Sequence, residues 1–199
     1  MSMNSLRLMI LLSALVVFAG TASAQGTCSN CTTVSSNLTL SANAQTAIQL
    51  IISTSGAGAT VSDGGSGAYT VPFGNVNGLG TGTPGAGVAV AVSGSGATYT
   101  TPITVTPTFS GFANTTATVK VFQDATTSAD SQSAAREGSS AGSVASVPTT
   151  SGTANTVNAT AATATGITRY VGVFISNVNG GSAVAGALAP KLIYQVTVN

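Results

Sequence analysis

The chain has 199 residues, of which 43% are hydrophobic and only 5% are charged, whereas about 25% are charged in an average soluble domain. It contains no histidine and no tryptophan. This composition excludes catalytic triads that use histidine, histidine-based zinc sites, and a basic surface for nucleic acid or an anionic membrane. We therefore expect a protein that is not an enzyme and has no cofactor, and the length favours one domain after any leader.

The N-terminus has the pattern of a secretory signal peptide. Arg7 precedes an apolar run over residues 8–19, and Ala-Ser-Ala at 22–24 offers a small-x-small cleavage site. The run is too short to cross about 30 Å of hydrocarbon as a permanent anchor, so we favour cleavage over an uncleaved anchor. We predict a signal peptide at 1–24 and a mature chain that begins at Gln25. The mature protein would be secreted, extracellular or at the cell surface, with periplasmic transit in a Gram-negative cell and no integral membrane span.

The mature chain is predicted to carry no net charge. Removal of Arg7 with the signal leaves four basic residues against four acidic ones. A near-neutral surface favours self-association, which suits a protein that assembles with itself or with other surface proteins. These charged residues are Lys120, Arg136, Arg169 and Lys191 on one side and Asp63, Asp124, Asp130 and Glu137 on the other.

Two cysteines follow the predicted cleavage site in a C-x-x-C motif, Cys28 and Cys31. In an oxidising exported compartment the favoured interpretation is a disulfide that closes a small loop. Pairing between chains is the alternative, because the cysteines lie in a predicted N-terminal arm at 25–45. A redox site lacks the βαβ context that such a motif needs, and a zinc site lacks two further ligands.

The mature chain reads as short strands separated by turns. The full sequence contains 24 glycines, 23 of them after residue 24, and they recur with serine in clusters that leave little room for long helices. Segments with β-branched residues and alternation of period 2 lie between them. Together they predict an all-β fold, an antiparallel Ig-like β-sandwich of about eight or nine strands in a single domain at 46–199. The predicted strands are 34–40, 46–53, 68–73, 88–92, 99–108, 116–124, 169–176 and 192–199.

Two parts of this pattern are unusual. The segment 99–108 contains Pro102 and Pro107, which predicts an edge strand or a bent one. The region 128–165 is rich in Ser, Ala and Thr and reads as a long polar loop. Within it we expect one helical turn at 131–137 and weak strands near 144–147 and 156–163.

Acidic residues and lysines are too few for an evident catalytic site. Each acid is most simply a turn residue or a solvated charge, with Asp63 in the turn Ser-Asp-Gly-Gly. No acidic cluster at the spacing of a calcium loop is present. Lys120, between Val119 and Val121, is expected to face outward on a strand rather than to form an isopeptide bond.

The segment Val71–Val76 reads Val-Pro-Phe-Gly-Asn-Val and resembles secreted bacterial domains of the spore-coat-protein-U and fimbrial (pilin-like) type. The alternating C-terminal strand is also similar to that group, and Gly186 stands where pilins carry a glycine upstream of the end. One departure is Val198, since pilins have an aromatic residue there and the nearest aromatic here is Tyr194. The resemblance covers about 69–105 and 169–199.

This resemblance implies an Ig-like sandwich that is exported and assembled at the surface, where a strand from a neighbour completes an open sheet. The segment Val34–Leu40 would be the donor arm. The residues of the expected assembly strands are Val34, Leu38 and Leu40 in the arm and Leu192, Tyr194, Val196 and Val198 at the C-terminus.

The sequence therefore favours an exported structural subunit of a cell-surface coat, fibre or extracellular matrix. The alternative is a secreted adhesin or glycan-binding module, which would need a cluster of exposed aromatic residues. The candidates for that cluster are Tyr69, Tyr99, Phe109 and Phe112.

Overall fold

Eleven β-strands and two short 3₁₀ turns make up the part of the chain that the computed structural model describes, residues 41–124, 133–177 and 190–199. This fold lies in a unit that spans Ala44–Asn199. The strands are β1 (Ala47–Thr54), β2 (Ser62–Asp63), β3 (Tyr69–Thr70), β4 (Ala89–Ser93), β5 (Gly96–Ser110), β6 (Thr116–Gln123), β7 (Ser133–Gly138), β8 (Ala145–Ser146), β9 (Asn155–Ala162), β10 (Ile167–Ser176) and β11 (Leu192–Val198). The 3₁₀ turns are Ala141–Ser143 and Ser151–Thr153.

The strands form two antiparallel sheets that pack face to face, together with a small hairpin. The large sheet has the order β1-β5-β10-β7-β8, and β4 pairs with β5 on the same edge as β1. The second sheet has the order β11-β6-β9, and β2 pairs with β3. The prediction of an all-β antiparallel sandwich is confirmed. Eight or nine strands were expected; the strands without a prediction are β2, whose two residues are too few to show alternation, and β7, where a helical turn was expected.

The long strand β5 organises the large sheet. Its 15 residues alternate so that odd-numbered positions from Ala97 to Phe109 face the core and are buried, while threonines occupy most even-numbered positions on the outer face. One edge pairs with β4 and then with β1, and the other pairs with β10. The prediction of an edge strand is therefore wrong, since β5 is central.

The two prolines of β5 fit a central strand because their missing N–H groups face positions without a partner strand. The Pro107 carbonyl accepts a hydrogen bond from the N–H of Ala164 at 2.7 Å. Pro107 therefore faces the edge of β5 that pairs with β10, but at a position that β10 does not reach, because β10 begins at Ile167. Backbone groups alternate between the two edges, so Pro102 faces the opposite edge. There it falls between the pairs made by Thr100 with β4 and by Ile103 with β1.

Thr101 closes the same gap from the core side. Its side chain is fully buried. The hydroxyl accepts a hydrogen bond from the N–H of Ala59 at 2.7 Å and donates one to the carbonyl of Gly87 at 2.9 Å. These bonds fasten the chain segments that follow β1 and precede β4 to the middle of β5.

Two clusters of apolar side chains form the core. The first lies between the two sheets and joins Ile103 and Val105 of β5 to Val119, Ala161 and Val171. The second lies under the segment that connects β1 to β4. It joins Ala97, Tyr99, Val173 and Ile175 to Phe73, Val76 and Val88. The layer above the large sheet is therefore composite, with the three-stranded sheet over one half and the 59–88 segment over the other.

The region 128–165 differs from its prediction. Residues 133–138 form β7 instead of a helical turn, because the edge of β10 offers them six paired positions. Long-range pairing has overridden a weak local preference here. The weak strands predicted near 144–147 and 156–163 are confirmed as β8 and β9.

Several predictions fall outside the described residues. They are the signal peptide at 1–24, the cysteines Cys28 and Cys31, the donor arm Val34–Leu40, Asp130 and Gly186. Within the described ranges, no helix has the length and apolarity to cross a membrane.

Candidate functional site

A cleft of about 1160 Å³ opens in the composite layer above the large sheet. Its floor is the inner face of that sheet, where Ile103, Val171 and Val173 point into it. One wall is formed by residues 66–76, which include β3, and the other by residues 190–194. Leu50 and Ile52 of β1 also contribute to the lining. The cleft is the space between the two parts of the upper layer, and we call it the interlayer groove.

The wall formed by β11 presents a strand edge. Within the described residues β11 pairs only with β6, so its other edge has no partner strand there. Leu192, Ile193 and Tyr194 all line the groove. Successive residues of a strand point to opposite faces, so a groove on one face of the sheet would contact only every second residue. The groove therefore runs along this edge. β11 contains no proline and no charged residue, and these are two of the features that commonly prevent pairing at a strand edge.

The structure places the C-terminal candidates on the inner face of the small sheet. Leu192, Tyr194, Val196 and Val198 lie opposite Gln123, Val121, Val119 and Ala117 of β6, all four of which are buried. The alternation of apolar residues in the sequence is the signal that identifies this face.

A buried ionic cluster holds β11 against the large sheet. Glu137 on β7 is 4% exposed, and its carboxylate accepts hydrogen bonds from Arg169 Nε at 2.5 Å and from a second guanidinium nitrogen at 2.8 Å. The Tyr194 hydroxyl donates to the same carboxylate at 3.3 Å. Because β7 and β10 belong to one sheet and β11 to the other, the cluster links the two layers beside the groove.

The cluster changes the acid–base properties of its members. The hydrogen bond and the negative charge of Glu137 raise the pKa of Arg169, while burial opposes them. Burial of Tyr194, followed by the nearby charge of Glu137, raises the pKa of that phenol. Tyr194 therefore stays protonated and can donate its hydrogen bond throughout the neutral range.

The interpretation of Glu137 as a solvated charge is wrong. It followed from placing Glu137 in a polar loop, whereas β7 turns alternate residues inward and pairs this carboxylate with Arg169. The alternation of Ala135 and Glu137 is visible in the sequence, but nothing local identifies which side of the segment faces the core. Asp63 behaves as predicted, since its Oδ1 accepts the N–H of Gly65 at 2.8 Å in the β2–β3 turn.

The aromatic residues considered for ligand binding do not form an exposed cluster. Tyr99 is fully buried, and its hydroxyl donates to the carbonyl of Asn77 at 2.9 Å. Phe109 is 7% exposed and packs edge-on against Phe112 at 6.4 Å between ring centroids. Tyr69 lies in the wall of the groove. These side chains serve the core and the groove rather than a separate platform.

The remaining polar candidates are dispersed. Lys120 lies on the outer face of the small sheet opposite Gln195. Asp124 and Lys191 form an ion pair of 3.6 Å near one end of β11. In the part of the chain that the structure covers, no three acidic or cysteine side chains come together as a metal site would require.

Comparison with known protein families, with curated protein sequences and with solved structures found no match to this chain.

Proposed function

We propose that this protein is an exported structural subunit of a surface coat, fibre or extracellular matrix, and that its copies join by strand addition in the interlayer groove. The observation that carries the proposal is a groove with an apolar floor along the edge of β11 that has no partner strand among the described residues. An extended segment placed there would pair its backbone with β11 and its apolar side chains with the floor.

The proposed occupant is the segment Val34–Leu40 of a second copy. It has seven residues, as β11 has, and an extended segment of that length spans about 23 Å. Val34, Leu38 and Leu40 share one face of such a strand, and this apolar face would pack on the apolar floor of the groove.

Charge favours a second copy of the chain over a charged partner. Of the described residues that line the groove, only Lys191 is charged, and it is paired with Asp124. The segment 34–40 has no charge. No ion therefore has to be desolvated when an uncharged strand enters the groove, and the mature chain as a whole has no net charge to oppose association.

The test compares two double variants of the processed protein. Leu38→Lys with Leu40→Lys places two charges on the apolar face of the arm, whereas Asn37→Lys with Thr39→Lys places the same two charges on its other face. We expect polymers from the wild type and from the second variant, and monomers from the first, by sedimentation and negative-stain electron microscopy. Circular dichroism should report the same β-content in all three proteins.

A wild-type protein that stays monomeric at every concentration would contradict the proposal, and so would polymers from the Leu38 and Leu40 variant. A peptide of residues 34–40 provides a second test. It should bind a protein that lacks residues 25–40 in a one-to-one ratio, and a peptide with asparagine at the three apolar positions should not.

A further inference from the structure

The exposed apolar side chains of the described residues lie along one edge of the large sheet. β1 and β4 follow one another along that edge of β5. Gly80 packs against Val92 of β4, which places Leu79 beside the same edge. A cluster of exposed apolar side chains along a strand edge is a mark of an interaction site. The five exposed large apolar residues are Ile48 and Ile51 of β1, Val90 and Val92 of β4, and Leu79.

The outer edge of β1 presents the backbone groups of every second residue. Phe109 of β5 lies opposite Ile48, but its N–H donates to the hydroxyl of Thr163 and its C=O accepts from the same hydroxyl, on the other side of β5. The pair of Ile48 and Phe109 is therefore not hydrogen-bonded, and the N–H and C=O of Ile48 point away from β5. By alternation the same holds for the other even-numbered residues of β1, up to Thr54. Among the described residues, no strand pairs with this edge.

β1 lacks a charge, a proline and a bulge, which are three features that commonly prevent pairing at a strand edge. Its eight residues are uncharged and pair with β5 without a register shift. Ile48 is 48% exposed and Ile51 is 36% exposed, one on each face of the strand. A strand added along this edge would therefore cover apolar surface on both faces and satisfy the open backbone groups.

We infer that β1 pairs with β1 of a second copy, antiparallel and about a two-fold axis, so that the large sheets of the two copies join edge to edge. Such a contact uses the same surface on both copies. The alternation of open backbone groups requires that even-numbered residues bond to even-numbered residues. The register that places Ile51 opposite Ile51 of the second copy meets this condition. It pairs Leu50 with Ile52 on the inner face. On the outer face it pairs Gln49 with Ser53, so that polar residues meet polar residues.

Charge favours a second copy over a charged partner. β1 has no charge, and the mature chain is predicted to have no net charge that would keep two copies apart. The inference does not depend on the proposed function, because β1 belongs to the large sheet and β11 to the other sheet. A contact through one pair of strand edges belongs to the class of small, weak interfaces, so it is measured by cysteine trapping rather than by sedimentation.

Trapping in the full processed chain tests the register. The parent protein carries Cys28→Ser and Cys31→Ser, and diamide is the oxidant. In Ile51→Cys the two introduced thiols are directly opposite, with Cα atoms about 4.5 Å apart, which a disulfide can span. Ser53→Cys is the matched control on the same face of β1, because its two Cα atoms would be about 13 Å apart. We expect at least about tenfold more disulfide-linked dimer from Ile51→Cys on a non-reducing gel. Equal amounts from the two variants would overturn the inference, and so would no dimer from Ile51→Cys.

A mixture of two variants gives a second test. Gln49→Cys and Ser53→Cys should form a mixed dimer, identified by its mass, although neither links well with itself. Adding Ile51→Lys to both proteins places like charges opposite each other and should abolish the mixed dimer. Thr160→Lys, at an exposed position of the edge strand β9 in the other sheet, should not. A mixed dimer that survives Ile51→Lys would overturn the inference, and so would one that forms only after residues 25–40 are removed, since the arm would then occupy the edge. Melting temperatures by circular dichroism establish that each variant is folded.

Discussion

Removal of the Glu137 carboxylate should destabilise the fold more than loss of any exposed charge. In Glu137→Leu the guanidinium of Arg169, whose side chain is only 13% exposed, loses both of its hydrogen bonds to Oε1 and Oε2. Breaking one side of a buried ion pair costs about 3–5 kcal/mol, because the remaining charge stays desolvated. The total free energy of unfolding of a domain is about 5–15 kcal/mol. The loss is therefore a large part of the whole.

Further substitutions test whether the unpaired charge is the cause. Arg169→Met added to Glu137→Leu removes the buried cation, and much of the stability should return, since apolar replacement of a whole buried pair is often neutral or favourable. Tyr194 then keeps a hydroxyl without its acceptor, which costs about 1–3 kcal/mol, and Tyr194→Phe should recover that part. Lys191→Met is the control, because its side chain is 61% exposed and a surface pair contributes about 0–1 kcal/mol.

Urea unfolding followed by far-ultraviolet circular dichroism measures these differences, since the chain has no tryptophan for fluorescence. With a slope of about 2 kcal/mol per molar urea, Glu137→Leu should lower the midpoint by about 2 M. A shift no larger than that of Lys191→Met would refute the reasoning. So would a triple variant that is less stable than Glu137→Leu alone.

Three other substitutions test separate features. Burial raises the pKa of Tyr194 above the ordinary 10.0, so the folded state holds that proton more tightly. The free energy of unfolding should therefore fall as pH rises above about 10, by roughly 1 kcal/mol per pH unit. In Tyr194→Phe the fall measured by thermal melting should be shallower, and an identical slope would contradict the assignment. Thr101→Val leaves the two backbone partners at 2.7 and 2.9 Å without the hydroxyl and should cost about 2–4 kcal/mol in urea unfolding, whereas a cost below about 0.5 kcal/mol would mean that water replaces it. Gly74 has φ +74°, and a Cβ there would lie 2.5 Å from the backbone nitrogen of Gly85. Gly74→Ala should therefore lower the melting temperature. Gly142→Ala is the control and should not lower it, because a Cβ at Gly142 meets nothing within 4 Å.

Much of the fold could be predicted because its strands are encoded locally. β11 and β5 alternate apolar and polar residues over most of their length, with exceptions at Ile193 and Thr101, and each alternation indicates both the strand and the side that faces the core. The prediction that β11 is an assembly strand came from the resemblance to pilin-like domains and not from the alternation itself. The groove beside it could not be predicted, because it arises from the space between a sheet and a loop segment that are distant in sequence.

The errors have a common origin in pairing between distant segments. The helical turn expected at 131–137 became β7 because β10 offered it an edge, and this pairing turned Glu137 inward toward Arg169. The same register places Arg136 on β7 directly opposite Gly172 on β10. Neither neighbourhood has a local signature.

The sequence by itself determined that this chain forms β-strands, that it has few charges, and which residues of β6 and β11 share the face toward the core. These properties depend on side-chain chemistry and on a repeat of two residues, both of which act within a single strand. Only the tertiary structure decided which strands are neighbours, because pairing is chosen by the total burial and hydrogen bonding of the assembled sheets. That choice buried the carboxylate of Glu137 and, among the residues that the structure describes, left one edge of β11 without a partner strand and placed both prolines of β5 where no strand pairs with their missing N–H groups.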